Sequence, residues 1–239
     1  EGDIVVLTTH QLYRYPKYFD LIILDEIDAF PYSGNILINK IFQNSIKGHM
    51  VQMSATPNEQ VLEFFKGKNR EILELNTRFH KHPLPVPIIK RRIGIIQFIE
   101  LIFLLKKFVD KKKPVFIFVP TIEIGEKLYS VLRVLFKCGE LVHSKVKNRE
   151  QIIQNFRKGK YKYLVTTAVL ERGVTVKNLQ VVIYHADHKL YNQYNLVQIS
   201  GRVGRKYDAP KGEVIFLGSK ITDEMLKAKE TIKAKNKYL

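Results

Sequence analysis

Cysteine is almost absent from this sequence: a single residue, Cys138, in 239. That excludes an internal disulfide and any multi-cysteine zinc site built by this chain alone, and it fits a reducing compartment. Long hydrophobic runs are missing too. The most apolar stretch, IGIIQFIELIFLL over 93–105, contains a glutamine and a glutamate and is too short to cross a bilayer, so it is predicted to be a core helix. No N-terminal stretch combines a basic start, an apolar core and a small-residue cleavage site. Low-complexity tracts are absent, and the chain opens on EGDIVVLTT, without an initiator Met, entering a strand-like run almost at once as expected of a fragment.

Acidic residues are also few. Against 23 Asp and Glu stand 40 Lys and Arg, a formal charge of +17 and a pI near 9.8. Such an imbalance points to a polyanionic partner, nucleic acid first and a membrane surface second, although a Lys-rich proteome produces the same excess. With 45% hydrophobic and 11% aromatic residues, the chain is globular and long enough for one large domain or two smaller ones.

Strand-like runs appear at 4–9, 21–26, 50–55 and 71–75. KHPLPVPIIKRR, 81–92, carries prolines at 83, 85 and 87 followed by basic residues, which reads as a stiff, extended linker. Domains are therefore expected over 1–80 and 93–239. Beyond the linker, helices alternate with the apolar strands PVFIFVP, ELVHS, YKYLVTT, VVIYHA and GEVIFLG. Apolar strands alternating with helices predict an α/β architecture with largely parallel sheets covered on both faces.

Two segments stand out chemically. LIILDEIDAF places Asp25 and Glu26 where an apolar strand runs out, the position at which open α/β sheets bind ligands. An Asp there can hold Mg²⁺, and the Glu beside it can orient a water for attack on a γ-phosphate. QISGRVGR, 198–205, sets Arg202 and Arg205 among glycines, a costly pattern to bury unless it meets a multiply charged anion. MSATP, 53–57, and LVTTAVLERGVTV, 164–176, add hydroxyl groups at strand ends.

In order and content these segments resemble the two RecA-like (P-loop NTPase-like) domains of superfamily 2 helicases and translocases. TTHQLYR, DEIDAFPY, TTAVLERGVTVKNLQVVI and QISGRVGR are more narrowly similar to the late competence ComFA family of Gram-positive bacteria. The resemblance implies two parallel-sheet domains, the first truncated at its N-terminus, with ATP and Mg²⁺ as cofactors. By position it implies that Asp25 holds the metal and that Glu26, Arg202 and Arg205 are catalytic. Gln198, Gly173 and Thr175 would touch nucleotide, although Thr175 stands where many relatives have an aspartate. Asp28, Ser54 and Thr56 would couple hydrolysis to movement, and Thr9, His10, Thr121, Thr166 and Thr167 would contact DNA.

The family further implies a cytoplasmic motor, peripheral at the inner face of the membrane, acting on single-stranded DNA with an uptake channel and single-strand-handling proteins. No small-molecule substrate other than ATP is expected. The family also needs a Gly-rich loop ending in Lys and Ser or Thr to cradle the phosphates, and a four-cysteine zinc module. Neither occurs here; KGKN, 66–69, follows the carboxylates and lacks the hydroxyl. The chain alone is therefore expected to hydrolyse little ATP. Alternative readings are a non-enzymatic nucleic-acid-binding fragment or decayed gene product, and a helicase of DNA repair, replication restart or RNA. A metal nuclease would leave QISGRVGR unexplained.

Overall fold

The computed structural model describes residues 3–27, 36–54, 71–75, 77–167 and 174–239. The chain divides into two compact units, Glu1–Leu73 and Glu74–Leu239. In the first, a 3₁₀ turn, Thr9–Arg14, leads to strand β1, Phe19–Leu24. Helix α1, Ile36–Ser45, runs directly into β2, Ile46–Gln52, which lies parallel to β1. A parallel pair needs a crossover, and α1 is part of it. Leu12, Ile22, Leu24, Ile27 and Phe42 form the buried cluster. On the alternate positions Leu21, Ile23, Val51 and Met53 remain exposed.

Two of the expected strands do not form. Residues 4–8 carry no regular structure before the 3₁₀ turn, and 71–75 are irregular, with Ile72, Leu73 and Leu75 exposed. Both have strand-like composition, but β-propensity is realised only against a neighbouring strand. Among the described residues neither segment has one.

The second unit holds a six-stranded, fully parallel sheet. Its strands are β3 (Ile88–Arg91), β4 (Val115–Phe118), β5 (Gly139–Val142), β6 (Tyr163–Thr166), β7 (Gln180–Tyr184) and β8 (Val214–Gly218), in the order β3-β8-β7-β4-β6-β5. Helices α2 (Ile95–Asp110) and α3 (Ile122–Leu135) supply Leu101, Leu105, Phe108, Leu128 and Leu132 to one face, where Val115, Ile117 and Val165 point. Helices α4 (Arg149–Arg157), α5 (Gln193–Ser200) and α6 (Asp223–Asn236) bring Phe156, Leu196, Ile199, Met225 and Ile232 to the other, against Phe116, Phe118 and Leu164. The period-two alternation of strand side chains thus feeds two cores at once, which explains why these strands read as unbroken apolar runs.

The stretch expected as a linker is only partly one. Residues 88–91 add to the sheet as its edge strand, and Leu84 exchanges two hydrogen bonds with the Asn236 side chain, at 2.8 and 2.9 Å. The compact second unit begins at Glu74, ahead of the expected boundary. Prolines keep the chain extended but remove donors, so pairing starts only once Pro87 is passed. Glu100 on α2 then holds this edge by accepting from Lys90 and from Arg92.

Gly139 faces Tyr163 directly across the β5–β6 ladder. A Cβ at Gly139 would lie 2.0 Å from the ring of Tyr163, which is fully buried and donates its hydroxyl to the Phe136 carbonyl at 3.0 Å. Gly139→Ala should therefore destabilise the chain by about 1–3 kcal/mol through overpacking, read as a lowered urea midpoint with unchanged slope.

Candidate nucleotide and nucleic-acid site

β1 ends at Leu24, and Asp25 and Glu26 follow immediately, both exposed. The ends of β1 and β2 are tied beyond the ladder by Met53 N–H donating to Leu24 O at 2.8 Å and Ile27 N–H donating to Met53 O at 3.2 Å. This leaves Asp25, Glu26 and Ser54 on neighbouring strand ends. Glu26 has φ +59°, in the left-handed region that non-glycine residues seldom occupy. Its N–H donates to Asp25 Oδ1 at 2.9 Å, which supports the turn. An exposed carboxylate at the end of a parallel strand suits a Mg²⁺ held through water, and the donor chemistry of Asp25 fits that ion. Among the described residues no group of three or more His, Cys, Asp or Glu gathers to enclose a metal. Asp28 and Thr56 lie outside the described residues.

In the second unit the two arginines differ. Arg202 is buried and donates from Nη1 to Val174 O at 3.4 Å, whereas Arg205 is exposed. Arg202 therefore braces the segment leading into β7, and Arg205 is open to solvent. Gln198, half-buried, lies on α5 ahead of Arg202, and Thr175 is half-buried beside Val174; Gly173 lies outside the described residues. The loop carrying the arginines, Gly201–Arg205, is held by a residue that sequence reading assigned no role. Arg78 donates from Nη1 to Val203 O and Gly204 O, both at 2.9 Å, and from Nη2 to Gly201 O at 2.8 Å. Burial first, and the nearby Arg205 charge second, lower the Arg78 pKa to about 10, so it stays protonated at neutral pH.

In the second unit the expected DNA-contacting threonines lie at the C-terminal ends of β4 and β6. Thr121 follows β4 and caps α3, its Oγ1 accepting from Ile124 N–H at 3.2 Å. Thr166 pairs with Phe118 in the ladder, is fully buried, and turns its hydroxyl to Thr167 O at 3.0 Å; it supports the loop and does not face solvent. Thr167 is half-buried. Close by in chain order, Asp187 follows β7 and accepts from Ser219 N–H at 3.2 Å, from Ser219 Oγ and from Lys220 N–H at 3.3 Å, tying the ends of β7 and β8. In the first unit, Thr9 and exposed His10 open the 3₁₀ turn. Tyr13 and Arg14 on the same turn are exposed and paired, Arg14 Nε donating to the Tyr13 hydroxyl at 3.0 Å. An exposed aromatic–cation pair beside His10 is chemistry suited to a nucleic-acid strand, and its signal was the YR in TTHQLYR.

Comparison with known proteins agrees with this geometry. Residues 97–207 match the family described as helicase conserved C-terminal domain. The competence protein ComFA of Streptococcus pneumoniae is 34% identical over 98% of this chain and 57% of its own length; that of Bacillus subtilis is 33% identical over 98% of this chain and 52% of its own. The chain is a relative of ComFA and carries a helicase C-terminal domain. It spans about half the length of the curated relatives it matches. The solved structure of S. cerevisiae Dbp5 bound to RNA and ADP BeF3 matches at TM-score 0.70 and 20% identity, covering 97% of this chain and 61% of that one, a likeness that shows the fold alone. The α/β parallel-sheet architecture is thus that of RecA-like helicase domains. Among the described residues no helix is long and apolar enough to cross a membrane.

Burial raises the Asp187 pKa, but hydrogen bonds from Ser219 and Lys220 outweigh it, and the net shift is downward. A carboxyl whose folded pKa is depressed adds stability that is fully present above its unfolded value, about 3.9, and disappears as pH falls through the folded value. Asp187→Asn should cost about 1 kcal/mol at neutral pH, with Asp187 half-exposed. The difference between variant and parent should shrink below about pH 4, measured as urea midpoints across a pH series.

Proposed function

We propose that the intact protein is an ATP-driven motor on single-stranded DNA that serves DNA uptake during competence. The observation that carries this reading is the alignment with two ComFA proteins along nearly the whole chain. It is supported by exposed carboxylates at the end of β1 and an exposed arginine on the Gly201–Arg205 loop. Asp25 would hold Mg²⁺ through water, and Glu26 would orient the attacking water. Arg205 would supply positive charge to the transferring phosphoryl oxygens, with Arg202 maintaining the loop. Bound ATP and Mg²⁺ supply the phosphoryl group and its charge neutralisation.

Coupling would run through Asp28, Ser54 and Thr56 at the strand ends, and Gln198, Gly173 and Thr175 would line the nucleotide. The strand of DNA would lie along Thr9, His10 and Tyr13 in the first unit and along the Thr121 and Thr167 loops in the second. A protein of this kind would work on the cytoplasmic side, peripheral to the membrane, beside a channel and single-strand-handling proteins. The +17 charge supports a polyanionic track. A Gly-rich phosphate loop is not encoded within these 239 residues, so this chain by itself should bind nucleic acid without appreciable turnover.

DNA-stimulated phosphate release separates these statements. The intact protein should turn over ATP, and Glu26→Gln should lower its kcat by at least about 100-fold, while the present chain should show no release above background. Robust turnover by the present chain, lost on Glu26→Gln, would overturn the assignment of the missing loop. Equal competition by RNA and single-stranded DNA of the same sequence would overturn the choice of DNA.

A further inference from the structure

We propose that Arg78, seconded by His80, is a positioning residue for the arginine loop: it sets the peptide plane from which Arg205 projects. The contacts span more than a hundred residues of sequence and lie wholly within the second unit. Three carbonyls of the loop, those of Gly201, Val203 and Gly204, turn to one planar guanidinium. The N–H groups of the same loop turn the other way, Gly201 N to Val197 O, Arg202 N to Ile199 O and Val203 N to Ser200 O, all within 3.2 Å. Three of the loop's donors are therefore spent on the last turn of α5 and three of its acceptors on Arg78.

Gly204 is the decisive position. Its carbonyl accepts from Arg78 and also lies 3.1 Å from His80 Nε2. His82 N–H donates to His80 Nδ1 at 3.2 Å, which makes Nδ1 the acceptor and leaves Nε2 to carry the proton toward Gly204. Because a peptide unit is planar, fixing the Gly204 carbonyl fixes the N and Cα of Arg205. Gly204 itself has φ +69°, and a Cβ there would meet Pro210 O at 2.2 Å and Arg78 Nη1 at 3.3 Å. No side chain fits between loop and latch.

The chemistry selects arginine. Gly201 is the C-cap of α5, and Val203 and Gly204 lie just beyond it, at the end of the helix where the dipole favours a cation. A planar fork can serve carbonyls on successive peptides at once, whereas a lysine ammonium is a single point. Arg78 also lies just inside the second unit, which begins at Glu74. The chain arriving from the first unit is thus secured to the arginine loop before it reaches β3. Displacement of that incoming chain would act on the loop directly.

The inference rests on the ATPase reading for its catalytic half only, so two measurements are paired. In the present chain, Arg78→Ala should speed hydrogen exchange of the Gly201, Arg202 and Val203 amides by about tenfold or more, and His80→Ala should do so to a smaller extent. In the intact protein, Arg78→Ala should lower kcat about tenfold or more while KM for ATP changes little. Arg78→Lys should recover only part of that loss, and Arg78→Ala combined with Arg205→Ala should be no worse than Arg205→Ala alone. Unchanged exchange at these amides overturns the latch whether or not ATP is hydrolysed. Faster exchange with unchanged kcat overturns its positioning role. Absence of turnover in the unsubstituted intact protein overturns the ATPase reading instead, leaving the exchange result to decide the latch. Should Arg78→Ala fail to fold, His80→Ala carries both tests with the same opposing outcomes.

Discussion

A parallel sheet covered on both faces leaves no place for polar chemistry along its strands, and this constraint organises the second unit. Strands β4 and β6 to β8 are buried at every position. Polar groups on the strands are accordingly few and committed: Thr166 to its own loop, and Gln180 to the Glu213 N–H and the Asn178 carbonyl. Reactive side chains are displaced to the ends of the strands, where backbone groups also run out of ladder partners. The threonines after β4 and β6 and the Asp187 tie after β7 are consequences of that displacement.

The same constraint decides what sequence reading could recover. Strands β4 and β6 to β8 were legible because double burial writes them as short apolar runs, and their helices because amphipathic stretches separate those runs. The strand-end position of Asp25 and Glu26 was legible because charge abruptly follows an apolar run. The strands expected over 4–9 and 71–75 failed for the opposite reason: their composition is strand-like, but composition does not supply a neighbour. The segment 81–92 misled through its prolines, which mark an extended chain without saying whether it lies free or joins a sheet edge.

Arg78 and His80 were illegible on different grounds. They were placed in the first domain because the boundary was set at the prolines, and their partners are backbone carbonyls, which leave no trace in a pattern of side chains. The resemblance implied Arg205 as the principal finger with Arg202 beside it, without saying which of the two is buried. Only burial distinguishes them: a guanidinium held against Val174 O shapes the protein, and an exposed one is available to a ligand.

The pairing of Arg78 with Arg205 sets two positive charges close together, a disposition that costs energy in the folded state. It persists because Arg78 is neutralised locally by carbonyl dipoles, while Arg205 is left to solvent. An anion arriving at Arg205 would relieve that repulsion. The field that disfavours two neighbouring guanidinium groups is therefore a field that would attract an anion. The guanidinium that bonds three loop carbonyls thus also adds to the positive field around Arg205.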